Sequence, residues 1–161
     1  PGEYILRGQP VAWATAGGNK LCKAASAAID IGDVRSFDQD PSFGLSLLAE
    51  TAQRALSPGV NDPGTAVEVM GRLERLLWEN MPSDETSDTR EAAYPNVSIP
   101  PVTAKHLLHC AFPPIARCGG DSPSVMRWME KSLDALGGHP NPDMAKAARE
   151  MCEELRDGNW G

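Results

Sequence analysis

The sequence predicts an α+β fold: a small N-terminal β-sheet packed against a bundle of five or six helices. Three observations lead there. Two short apolar triplets separated by a Gly/Pro turn open the chain. From residue 40 onward, apolar residues recur at helical spacing behind repeated Asp-Pro, Ser-Pro or Asn-Pro starts. Gly and Pro number 15 and 14 in 161 residues, and they gather at element boundaries rather than in low-complexity runs.

Taken in order, Tyr4-Ile5-Leu6 and Val11-Ala12-Trp13 read as strands around the turn Arg7-Gly8-Gln9-Pro10. Residues 20–29 have helical composition, with Leu21, Ala24, Ala25 and Ala28 on one stripe, and 29–34 reads as a further short strand. Asp40 is a natural N-cap and Pro41 a natural first helical residue. Leu45, Leu48, Ala49, Ala52 and Leu56 follow, and Ser57-Pro58-Gly59 ends the helix. The device repeats at Asp62-Pro63, ahead of Ala66, Val69, Met70, Leu73 and Leu77. A connection this short predicts that the two helices pack antiparallel, as a hairpin over 40–80.

Residues 81–95 are polar and acidic and read as a surface loop, with 82–92 the least ordered internal stretch. Asn96–Ile99 alternates and reads as an edge strand before Pro100-Pro101. Thr103 caps a helix through Leu107, Leu108, Ala111 and Ile115 that Pro113-Pro114 must kink or restart. Ser122-Pro123 and Asn141-Pro142 open the last two helices. The expected organisation is one domain over 1–161, with a small β/αβ subregion at 1–35 and a strand plus helices at 96–158.

Net charge is −7, with no basic run among 15 Lys and Arg residues. That argues against a nucleic-acid footprint and against direct lipid binding by this domain. The cysteines, Cys22, Cys110, Cys118 and Cys152, form no C-x-x-C pair and read as buried free thiols of a reducing compartment. His106, His109 and Cys110 fall at i, i+3 and i+4, with Cys118 beyond. A zinc needs more ligands at usable spacing, so no metal and no cofactor is expected, and the chain should fold without one.

The densest polar stretch runs from Arg35 to Gly44 and from Arg54 to Ala66. Its ligand-binding candidates are Arg35, Asp40, Arg54, Ser57, Asn61, Asp62 and Thr65. Helix N-termini hold anions through free N–H groups, and arginines add charge-assisted bonds. The competing structural account is that Asp40 and Asp62 already cap those N-termini, and that the arginines pair with nearby aspartates. Ser57 lacks the G-x-S-x-G elbow of a hydrolase nucleophile and reads as a turn serine. Asn61 is expected to be buried and to bridge to the Arg35–Asp40 segment, with Gly59 at positive φ. No catalytic residue can be named. Gly2 to Val11 has the rhythm of a biotinyl or lipoyl hammerhead turn, but the carrier lysine motif is missing.

Several strings together resemble one bacterial family of predicted membrane proteins, domain of unknown function 2254. They are Pro1-Gly2-Glu3-Tyr4-Ile5 through Gly8, Pro10, Val11 and Ala12; Ile31, Gly32, Arg35, Ser36, Gln39, Asp40, Phe43 and Gly44; and Arg54 to Asp62 with Pro63, Thr65 and Ala66. Leu107, Leu108, Ala111, Phe112, Ile115 and Arg117 complete the match. The S-P-G-x-N-D-P-x-T-A string is the most specific of these. The acidic stretch before Asn96 departs from the pattern.

The resemblance implies transmembrane helices ahead of Pro1, a multi-pass parent in the cell inner membrane, and a cytoplasmic position for this domain. It brings no known reaction. The expected role is therefore a sensory, gating or assembly domain, whose partners are the transmembrane part of its own chain and further copies in a homo-oligomer. The alternatives are a membrane-associated hydrolase or transferase with its site in region 35–65, and an oligomerisation scaffold.

Overall fold

The computed structural model describes residues 4–13, 17–36, 40–82 and 101–158. Seven helices lie among them: α1 (Asn19–Ala28), α2 (Pro41–Ala55), α3 (Pro63–Asn80), α4 (Ala104–Ala111), α5 (Pro113–Gly119), α6 (Pro123–Leu136) and α7 (Pro142–Arg156). There is no strand among the described residues, so the architecture is all-helical and the expected α+β fold with its N-terminal sheet is wrong. The chain divides into two compact units, Pro1–Phe43 and Gly44–Gly161.

In the first unit the turn is where the sequence puts it. Gly8 takes φ +87°, Gln9 N–H donates to Leu6 O at 3.0 Å, and Leu6 N–H donates to Gln9 Oε1 at 3.1 Å. The flanking triplets are irregular, and 29–34 forms no strand. The physical reason is a shortage of partners. A lone two-stranded ribbon of three-residue arms is marginal without a third strand or a covering face. Here Tyr4 is 86% and Trp13 88% exposed, and α1 buries none of its residues.

The second unit is built on its core. α3 turns Ala66, Val69, Met70, Leu73 and Leu77 inward at i, i+3, i+4, i+7 and i+11. α3 packs on α6, α6 on α7, α4 on α7, and α5 on α4 and α6. Leu45, Ala49 and Ala52 of α2 are buried in the same core as the inward face of α3. α3 lies against the wide apolar stripe of α6, where Val125, Met129, Leu133 and Leu136 are buried.

Pro113-Pro114 restarts the helix rather than merely kinking it. Neither proline has an N–H to donate, so the chain breaks at Phe112. Its N–H still bonds to Leu108 O, and its own O accepts from Ile115 and Ala116, all at 3.0 Å. The Phe112 ring is wholly buried, a burial that contributes about 2–3 kcal/mol. The expected edge strand at 96–99 and nearly all of the acidic loop lie outside the described residues.

Candidate functional site

The seven candidate residues fall into two groups, one per unit. In the first unit, Asp40 gathers the bonds. It accepts from Arg35 Nε at 2.9 Å and from Arg35 Nη2, from Ser42 Oγ at 2.5 Å, and from Phe43 N–H at 3.2 Å. The last bond caps α2, as the Asp-Pro start predicts. The Arg35 guanidinium also lies 4.7 Å from the centroid of the Phe43 ring. Asp40 and Ser42 are buried. Burial pushes the Asp40 carboxyl up, but hydrogen bonds from Ser42 and Arg35, the Arg35 charge and the Phe43 N–H outweigh it, so the net shift is downward. The arginine and the helix start that an anion would need are engaged with the protein's own carboxylate.

In the second unit, Asp62 caps α3. It accepts from Thr65 N–H at 3.1 Å and from Thr65 Oγ1 at 2.6 Å. The Thr65 hydroxyl, then the Thr65 and Gly64 backbone, hold its carboxyl below the ordinary range against a small opposing effect of burial. Ser57 Oγ donates to Arg54 O at 2.7 Å, which makes it a C-terminal turn serine. The Arg54 guanidinium is largely exposed and pairs with Glu50 at 3.5 Å, one turn back.

Asn61 corrects two expectations. It is exposed, and its side chain makes no hydrogen bond among the described residues, so the buried bridging amide is not there. It is also Asn61, at φ 47°, that takes the left-handed conformation expected of Gly59. Asparagine tolerates that region better than other non-glycine residues. The reversal lets Asn61 N–H bond to Ser57 O at 2.8 Å and Asp62 N–H to Ala55 O at 2.7 Å, closing the end of α2.

The thiols also differ from expectation. Only Cys152 is buried; Cys110 is half-buried, and Cys22 and Cys118 are exposed. Burial pushes the Cys152 thiol up, and its Sγ donates to Asp134 Oδ1 at 3.7 Å. Groups of three or more metal-ligating side chains are absent among the described residues.

One constellation escaped the sequence reading. His139 is 5% exposed in the turn between α6 and α7. Its Nδ1 accepts from Asn141 N–H at 2.9 Å, and its Nε2 meets Trp78 O at 3.1 Å, which assigns the proton to Nε2. Its ring stands edge-on to Trp78 at 4.8 Å. Asn141 caps α7 through Met144 N–H at 3.0 Å and donates to Pro82 O at 2.8 Å. The end of α3 is thus pinned to the α6–α7 turn. A lone histidine within Gly137-Gly138-His139-Pro140 was the available signal: a titratable ring in a tight turn needs partners to be buried.

An uncharacterized protein of Mycobacterium bovis and two of Mycobacterium tuberculosis strains are each 29% identical to this chain over 146 residues. The alignment covers 84% of this chain and 28% of each relative, so the chain spans under a third of their length. No solved structure matches it. The profile of the family described as "Predicted membrane protein (DUF2254)" matches residues 1–135, the greater part of the chain. No helix among the described residues is long and apolar enough to cross a membrane. The chain belongs to the DUF2254 family of predicted membrane proteins.

Proposed function

We propose that these residues form a cytoplasmic sensory, gating or assembly domain carried by a multi-pass protein of the bacterial inner membrane. The observation that carries the reading is the family match over residues 1–135, a stretch whose described helices are too short or too polar to span a bilayer. The four free thiols, two of them exposed, fit a reducing compartment. In both groups of candidate residues, caps and ion pairs take up most of the polar atoms, which fits a mechanical role for that region. Nothing in the geometry favours the hydrolase or transferase reading. Assembly into a homo-oligomer has one supporting observation: Tyr4, Leu6, Trp13, Ile31 and Val34 are exposed within the first unit.

Cys22 and Cys118 make the topology testable. A membrane-impermeant maleimide is applied to cells producing the whole membrane protein. Both thiols should stay unlabelled in spheroplasts and become labelled in inside-out vesicles. Labelling of either from the outer face of intact spheroplasts overturns the cytoplasmic assignment.

A further inference from the structure

We propose that His106 and Cys110 form a two-ligand surface site for a tetrahedral, borderline-soft divalent cation of the zinc or cobalt type. The pair sits one turn apart on α4. Cys110 Sγ lies 3.7 Å from His106 Nε2. Zinc bonds of about 2.0–2.1 Å to nitrogen and 2.3 Å to sulfur, at the tetrahedral angle, put the two donor atoms about 3.6 Å apart. The observed separation corresponds to an N–metal–S angle of about 116° with the same bond lengths. In the metal-free protein this contact is a hydrogen bond between the two side chains, which a bound cation would replace.

Three further features support the site. His106 is exposed and Cys110 half-buried, so the pair is open to solvent, and a cation there would keep positions for water. The opposite face of α4 is fixed, because Ala104, Leu108 and Ala111 are buried in the core. The helix start is fixed as well: Thr103 Oγ1 accepts from His106 N–H at 3.2 Å, which holds the first turn that carries the imidazole. Preorganisation of this kind lowers the ordering cost of a two-ligand site. On binding, the thiol proton is released to solvent, the thiolate and the neutral imidazole each donate a lone pair, and no electron is transferred. His106 is exposed, and Cys110 packs at the edge of the core.

The test is a cobalt(II) titration of the 161-residue chain under reducing conditions. The readout is the thiolate-to-cobalt charge-transfer band in the near ultraviolet. One saturable equivalent is expected. Either Cys110→Ser or His106→Ala should weaken binding by about tenfold or more. The controls Cys22→Ser and Cys118→Ser should leave it unchanged. Circular dichroism checks that each variant is folded, and the conservative change Cys110→Ser leaves α4 intact. Absence of the band, a band that follows Cys22 or Cys118, or a band that survives either ligand change overturns the proposal.

Discussion

Replacing His139 by Ala should destabilise the second unit by about 3 kcal/mol. The ring bonds Asn141 N–H at 2.9 Å and Trp78 O at 3.1 Å, and each such bond contributes about 1 kcal/mol net. The edge-on contact with Trp78 adds about 0.5–1 kcal/mol beyond its buried area. Because His139 is 5% exposed, truncation also leaves a donor and an acceptor short of partners. Urea unfolding followed by tryptophan fluorescence and by far-ultraviolet circular dichroism measures the loss. His139→Gln, which keeps one donor and one acceptor on a similar reach, should recover part of it. Asn141→Ala should cost about 1–2 kcal/mol through the lost cap and the lost tie to Pro82. A His139→Ala protein within about 0.5 kcal/mol of wild type refutes the reasoning.

Asn61→Ala should cost about 1 kcal/mol and Asn61→Gly almost nothing, since the position demands positive φ and buries no side chain; equal costs in urea unfolding count against this. Gly119→Ala should cost about 1–3 kcal/mol, because a Cβ there lies 2.7 Å from Val125 Cγ1 and 3.0 Å from Leu56 Cδ1, and the thermal midpoint should fall accordingly. Asp40 has its pKa lowered on folding from the ordinary 3.8, so its carboxylate stabilises the fold above that value and the contribution is lost as pH falls below it. The urea midpoint of wild type should therefore exceed that of Asp40→Asn at neutral pH and converge with it in acid; a gap that widens toward low pH rejects the assignment.

The helices were legible because their punctuation is local. Asp62 with Pro63, Thr103, and Asn141 with Pro142 each satisfy orphan N–H groups within three residues, so the sequence carries the whole of each cap. The core face of α3 was legible for the same reason: Ala66, Val69, Met70, Leu73 and Leu77 recur at a period that only a helix places on one side. The packing of α3 on α6 was not legible, because it joins helices far apart in sequence. The sheet was misread because Tyr4, Leu6 and Trp13 are strand-like in type, whereas a strand also needs a neighbour. At the candidate site, the capping roles of Asp40 and Asp62 were foreseen. The role of Asn61 was not, since its demand is on the backbone and not on a side-chain partner. The His139 pin joins residues 61 positions apart, beyond the reach of any local pattern.

The tie at Pro82 and the cap at Thr103 hold the ends of α3 and α4 by two independent bonds. Asn141 secures the first, and the first turn of α4 secures the other. Each anchor can therefore be released alone: losing the Asn141 side chain releases Pro82 at the end of α3 and leaves the Thr103 cap of α4 in place.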